Sequence, residues 1–193
     1  MADPAQRQAT YADLLSAPEH MVAELIEGEL YLQPRPAKPH AAAATALAEE
    51  LGPPFKRGRG GPGGWILLIE PELHLGPNVL VPDLAGWRRE RLPVLTNDEP
   101  YFTLAPDWVC EVLSASTAVK DRVKKLPIYA QHGVKHTWLV EPVQRTLDVL
   151  RLQGKHWVIV AVHSGGAPVR AEPFDAIELD LSILWADVDL GPG

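Results

Sequence analysis

Apolar and polar positions alternate with a period of two over several short stretches and with a helical period over two longer ones. Val22 to Leu32 alternates on either side of Glu27-Gly28. An acid followed by Gly between two apolar runs predicts a β-hairpin, because Gly accepts the positive φ that a type I′ turn demands. Pro34, Pro36 and Pro39 close that hairpin, and upstream Thr10 to Ala17 reads as a short helix with Thr10 as its N-cap. Ala41 to Leu51 is rich in the best helix formers and predicts a second helix, with His40 at its start. Trp65–Glu70, Leu73–Leu75 and Val79–Trp87 predict strands, the last two joined by a turn at Gly76-Pro77-Asn78. Trp108 to Leu113 is an apolar run interrupted by a single charge, Glu111. From Ser116 to Gln131 the apolar residues Val119, Val123, Leu126 and Ala130 recur with helical spacing, and Gly133 ends the helix. Pro127 lies inside it. An interior proline costs on the order of 3 kcal/mol unless the helix bends or restarts, so a break near Leu126 is predicted. Thr137–Val140, Thr146–Leu152 and Trp157–Val162 predict three more strands, the last two facing each other across Gln153-Gly154-Lys155. Strands and helices interleave without repeat or linker. One α/β domain over residues 1–193 is expected, with its core over about residues 10–185.

Composition agrees with that picture. The chain has 193 residues and 21.1 kDa, the size of one domain with a proper core. Hydrophobic residues at 46% and charged residues at 22% exclude wholesale disorder, and Pro 19 argues for many short elements and tight corners. The longest dense apolar run, Trp65 to Ile69, is far short of the roughly 20 residues of a membrane span. Met1 to Gln6 is polar, so neither secretion nor membrane insertion is expected. Cys110 is the single cysteine, which excludes an intramolecular disulfide and fits a reducing, cytoplasmic setting.

Charge changes the picture more. A net charge of −7 looks wrong for a nucleic-acid binder, but its distribution is uneven. Residues 171–193 hold six acids and no Lys or Arg, and residues 1–30 hold six acids against Arg7, so the stretch between carries +4. An acidic frame around a mildly basic middle is compatible with a phosphate-facing surface, and equally with ordinary solvated faces.

Two acids interrupt apolar strands: Asp83 after Val79-Leu80-Val81-Pro82, and Glu111 between Cys110 and Val112. A carboxylate there is costly unless paired, hydrogen-bonded or metal-bound. Two such groups entering one sheet can converge, and hard cations such as Mg²⁺ take one or two carboxylates plus waters and substrate phosphate. The competing reading is that each caps a turn or pairs with an arginine such as Arg88 or Arg122. Lys120, Arg122, Lys124 and Lys125 follow on the next helix. Lys125 is either a surface partner of Asp121 four residues back, or a lysine reaching a metal-bound water or scissile phosphate. As a surface residue its replacement by Ala is expected to change stability by no more than about 0.5 kcal/mol. Other constellations are weaker. Gly58, Gly60 and Gly63 match GxGxxG, but a helix precedes them and a strand follows, the reverse of a dinucleotide-binding turn. His132 and His136 are separated by the helix-ending Gly133, and Ser114, Ser116 and Thr117 read as caps rather than nucleophiles.

Pro82-Asp83, the run from Cys110 to Thr117, Asp121 with Lys125 and Tyr129-Ala130, Gly133-Val134, and Trp138 to Pro142 together resemble the Uma-two family. That is a restriction-endonuclease-like group within the PD-(D/E)xK nuclease superfamily. Glu24 to Leu30 resembles its N-terminal hairpin. The resemblance implies a central mixed sheet flanked by helices. It also implies that Asp83 and Glu111 hold Mg²⁺ (Mn²⁺ as substitute), with the carbonyl of Val112 as a third ligand; Glu24 is a candidate outer ligand, because hairpin strands can lean over such a site. Position 113, where the superfamily carries its lysine, is Leu; Lys125 from the following helix stands in for it. Ala115, His136 and Cys110 depart from the commoner residues without removing a ligand. The implied function is a Mg²⁺-dependent endonuclease hydrolysing DNA as a homodimer, with no nucleotide cofactor and no membrane partner. The alternative is an inactive module of the same fold that binds nucleic acid or protein. The two are separated by whether Asp83, Glu111 and Lys125 approach one point in space.

Overall fold

The computed structural model describes residues 7–188. Helix α1 (Tyr11–Leu15) starts where Asp13 accepts both the backbone N–H and the hydroxyl of Thr10, each at 2.7 Å. Strands β1 (Met21–Ile26) and β2 (Glu29–Pro34) form the expected hairpin. Its turn residues Glu27 and Gly28 have φ of 53° and 80°, the two positive values a type I′ turn requires. Helix α2 (Lys38–Leu51) runs on into a π-helical turn over Gly52–Lys56, where Pro53 and Pro54 cannot supply the N–H groups an α-helix needs.

Strands β3 (Trp65–Ile69), β4 (Leu73–Leu75), β5 (Asn78–Leu80) and β6 (Leu84–Arg88) follow. The single strand expected over Val79–Trp87 is therefore two. Pro82 has no N–H for a ladder, and the chain leaves one sheet for another across residues 81–83. The β5 strand belongs to a four-stranded sheet ordered β2-β1-β5-β4, while β6 enters a six-stranded one. Asp83 stands at that crossing.

The larger sheet is completed by β7 (Trp108–Val112), β8 (His136–Glu141), β9 (Thr146–Gln153) and β10 (His156–Ser164), in the order β10-β9-β8-β7-β6-β3. Its β7–β8 pair is parallel and the others antiparallel, a mixed sheet as expected. The parallel pair is joined by one helical segment: α3 (Ala118–Lys120), a π-helical turn Asp121–Lys125, and α4 (Leu126–Gln131). The irregularity expected near Leu126 is this π turn. Pro127 cannot bond back to the carbonyl of Val123, so the preceding turn widens. Two short strands, β11 (Pro168–Val169) and β12 (Leu179–Asp180), and a 3-10 turn over Leu181–Trp185 follow.

The six-stranded sheet is apolar on both faces. One face packs Trp108, Cys110, Val112 and Trp138 against α2 and the Phe174–Trp185 segment. The other packs Val109, Leu113 and Leu139 against α4 and the smaller sheet. Residues alternate across a strand, so Glu111 takes the second face, among Val109, Leu113 and the residues of α4. No helix among the described residues is long and apolar enough to cross a membrane.

Candidate active site

Glu111 lies at the centre of β7, 2% exposed. Both its oxygens are taken. Lys125 Nζ stands 2.8 Å from Oε1 and 2.9 Å from Oε2, and Tyr129 donates its hydroxyl to Oε1 at 2.6 Å. The same ammonium lies 3.0 Å from Glu24 Oε1 and 3.6 Å from Asp121 Oδ1, and reaches the carbonyl of Val81 at 3.4 Å. Glu24, from the middle of β1, is fully buried; it accepts the N–H of Val81 at 2.9 Å and pairs with Lys120, which also donates to Gln33.

Asp83 faces the other way. Its Oδ2 accepts the N–H of Val112 at 2.7 Å, and its Oδ1 lies 2.6 Å from His40 Nε2. Both side chains line a cleft of about 190 Å³ with Gln33, Arg35, Glu70, Ser114, Ser116 and Thr117. The three hydroxyls bond one another, Ser114 Oγ lying 3.0 Å from Ser116 Oγ and 3.1 Å from Thr117 Oγ1. They make no side-chain cap on the helix, contrary to expectation, and form a polar wall instead.

Three buried acids, Glu24, Glu111 and Asp121, are matched by two lysines, Lys120 and Lys125. Burial pushes the carboxyls of Glu111 and Asp121 up, well up for Glu111, despite the attraction of Lys125. Burial pushes Glu24 up too, but Lys125 and Lys120 outweigh it and hold this carboxyl below its ordinary value. For Lys125 burial works against the charge, yet Glu111 and Glu24 prevail and its pKa stands well above the usual one. It is a permanent donor. The Tyr129 hydroxyl is raised by burial and by Glu111, so it too keeps its proton.

The donor set suits a hard divalent cation. Its oxygens are carboxylates and backbone carbonyls, and Asp83 opens onto the cleft. An ion between Asp83 and Glu111 would have to share Glu111 Oε2 with Lys125, because Oε1 already accepts from both Lys125 and Tyr129. Among the described residues no three His, Cys, Asp or Glu side chains are grouped closely enough to hold an ion by themselves. Carbonyl, water and phosphate oxygens must complete the shell.

The structure thus brings Glu111, Lys125 and Glu24 into contact near the sheet crossing, while Asp83 is tied to them only through the backbone of Val112. It corrects one expectation about Lys125. Its pair with Asp121 exists, but Lys125 is 1% exposed. Replacement by Ala therefore leaves buried carboxylates without their counter-charge and cannot be a neutral surface change. Lys120, Arg122 and Lys124 are each held by an acid: Glu24, Asp148 and Glu27. His132 ends the helix and His136 sits in β8, near Glu172. Sequence reasoning missed His40 and Tyr129. His40 was visible only as the first polar residue of a helix, and nothing local tied it to Asp83.

A family model described as "Uma2: Putative restriction endonuclease" matches residues 9–183. No curated protein matches the chain. Among solved structures the chain is similar to a nuclease, described as "putative" and as belonging to DUF820, from Anabaena variabilis ATCC 29413. The two are 26% identical with a TM-score of 0.73, over 92% of this chain and 97% of the other.

Proposed function

The chain belongs to the Uma2 family, and on that premise we propose that it is a Mg²⁺-dependent endonuclease that hydrolyses DNA phosphodiester bonds. The observation that carries this reading is the convergence of Asp83, Glu111 and Lys125. Asp83 is bonded to the N–H of Val112, the neighbour of Glu111, and Lys125 touches both Glu111 and the Val81 carbonyl. Asp83, Glu111 and the Val112 carbonyl would hold the cation, with Mn²⁺ as substitute. Glu24 acts from outside that shell by fixing the two lysines. When bound, the cation polarises the phosphate and lowers the pKa of a bound water. Lys125 stays protonated and buried, so it supplies fixed positive charge beside the site rather than removing a proton. Asp83, oriented by Val112 and His40, presents its free edge to the cleft where the backbone phosphate enters.

One such site meets one strand, so two chains are proposed to act on a duplex. The edge strand β10 exposes Val158, Ile159 and Val162 and offers a surface for pairing. DNA contacts fall mainly on the backbone, so binding is weak and salt-sensitive. The test is nicking of supercoiled plasmid by the full chain in Mg²⁺ or Mn²⁺, with Asp83→Asn as control. Metal-dependent nicking that the control lacks supports the reading. A wild type that cuts no DNA at stoichiometric concentration replaces it with the inactive binding module.

A further inference from the structure

We infer that Glu70 is the general base of the reaction, the carboxylate that takes the proton of the attacking water; this rests on the endonuclease reading above. Attack by water on a phosphodiester releases a proton, and a positioned acceptor speeds such a step by about 10²–10⁴-fold. The groups around the sheet crossing leave that place open. Lys125 and Tyr129 keep their protons. Both oxygens of Glu111 are covered by protein donors, and Glu24 is fully buried against two lysines. Asp83 has one oxygen engaged by the Val112 N–H and the other by His40 Nε2, which is thereby engaged as well. Of the other polar side chains lining the cleft, Arg35 is a cation and Ser114, Ser116 and Thr117 are hydroxyls. Among the described residues, Glu70 is the one carboxylate of the cleft besides Asp83.

Its placement follows from the sheet. Glu70 comes directly after β3, whose register against β6 runs to the Ile69–Leu84 pair, so the next position sets Glu70 opposite Asp83. The Glu70 N–H donates to the Asp83 carbonyl at 3.0 Å. The two acids thus enter one cleft from facing strand ends. The Glu70 side chain is exposed there and makes no hydrogen bond or ion pair among the described residues, so its oxygens are free to accept from water.

The backbone supplies an independent sign. Glu70 has a φ of 46°. The other described non-glycine residues at positive φ, Glu27 and Arg145, lie in the turns of the β1–β2 and β8–β9 hairpins, where such values are ordinary. Glu70 instead leads from β3 to β4 in the other sheet, and Pro71 behind it narrows its choices further. Glycine fits this conformation without penalty and glutamate does not; strain of that kind persists where the side chain is needed. As the water oxygen bonds to phosphorus, its proton passes to Glu70. The bond from phosphorus to the leaving ester oxygen breaks, that oxygen takes a proton from a water of the cleft, and Glu70 returns its own to solvent.

The experiment compares wild type, Glu70→Gln and Glu70→Gly as full chains, by plasmid nicking in Mn²⁺, Mn²⁺ calorimetry, anisotropy of a labelled DNA duplex in Ca²⁺, and thermal unfolding. Glu70→Gln is expected to lower kcat at least about 100-fold, with KM and Mn²⁺ affinity within about threefold of wild type and duplex binding no weaker. Glu70→Gly should lose the same activity, regain part of it in added formate, and unfold at or above the wild-type temperature, because the strain is gone. A folded Glu70→Gln that nicks within a few-fold of wild type overturns the role of Glu70 and leaves the endonuclease reading standing. Loss of Mn²⁺ or duplex binding in that variant overturns it too, making Glu70 a ligand or a contact instead of a base. A Glu70→Gly that unfolds below wild type and takes no rescue from formate makes the residue a structural one. A wild type that cuts no DNA overturns both.

Discussion

Asp83, just before β6, and Glu111, in β7, each stand one residue beyond the Leu84–Cys110 pair, yet they live in different media. Glu111 is sealed, with every contact supplied by a protein donor: an ammonium on both oxygens and a phenol on one. Asp83 is anchored by one backbone N–H and one imidazole and looks onto a cleft. The difference teaches a division of labour. The sealed acid and its lysine cannot move far without unfolding the region around them, so they supply a fixed electrostatic floor. The cleft-facing acid has room to exchange partners, which a group that meets substrate must do. Stability is expected to depend on the first and ligand binding on the second.

Lys125→Ala is the hardest blow to that contrast. It strands Glu111 and Asp121 in the interior and leaves Glu24 with Lys120 alone, and the loss expected from breaking such a buried pair is about 3–5 kcal/mol in urea unfolding. A variant as stable as wild type would show that the floor is not a floor. Next comes Tyr129→Phe, which removes the single neutral donor to Glu111 and should lower stability by about 1–3 kcal/mol with Mn²⁺ binding retained. Asp83→Asn keeps the shape and both neighbours. Its stability should stay within about 1 kcal/mol of wild type while Mn²⁺ binding in calorimetry disappears; an unfolded Asp83→Asn, or one that binds metal normally, erases the distinction between the two acids. The smallest effect belongs to Lys124→Ala, whose exposed pair with Glu27 should contribute no more than about 0.5 kcal/mol.

The pH profile sharpens the same comparison. The raised pKa of Lys125 contributes stability that is present below its ordinary 10.5 and lost as pH rises through the folded value. The raised Tyr129 acts in the same direction, since above its ordinary 10.0 the folded state keeps a proton that the unfolded chain has released. In acid the groups oppose each other. Lowered Glu24 contributes stability above its ordinary 4.5 that fades as pH falls, while raised Glu111 and Asp121 bind their protons earlier in the folded state and offset it. Unfolding midpoints measured across pH should drop steeply above about pH 10 and more gently in acid. A steep acid limb with a flat alkaline one would contradict the charge assignment.

Much of this was legible along the chain, for physical reasons. The Glu27-Gly28 turn, the β7 run around Glu111 and the trouble at Pro127 are local, and local rules found them. What failed was long-range or ambiguous. Val79 to Trp87 reads as one apolar strand because periodicity cannot see a change of sheet, and only Pro82 marked it. The partnership of His40 with Asp83 spans 43 residues, and no spacing rule reaches that far. The burial of Lys125 was hidden for a similar reason. A lysine four residues after an aspartate is the signature of a solvated helix face, and only the packing of β1 and β7 around it reverses the reading.

The π turn over Asp121–Lys125 has a consequence for insertions and deletions. An α-helix advances each residue by about 100° around its axis. One extra residue in a single turn therefore sets the helix before it out of phase with the helix after it. Before the turn, Lys120 meets Glu24 and Gln33 of the hairpin; beyond it, Tyr129 meets Glu111. Both halves are in correct phase only because the wide turn absorbs the surplus residue. Removing any one residue there would tend to restore a regular helix and rotate one half away from its partner, whatever residue was taken. At this point the chain is sensitive to length before it is sensitive to identity.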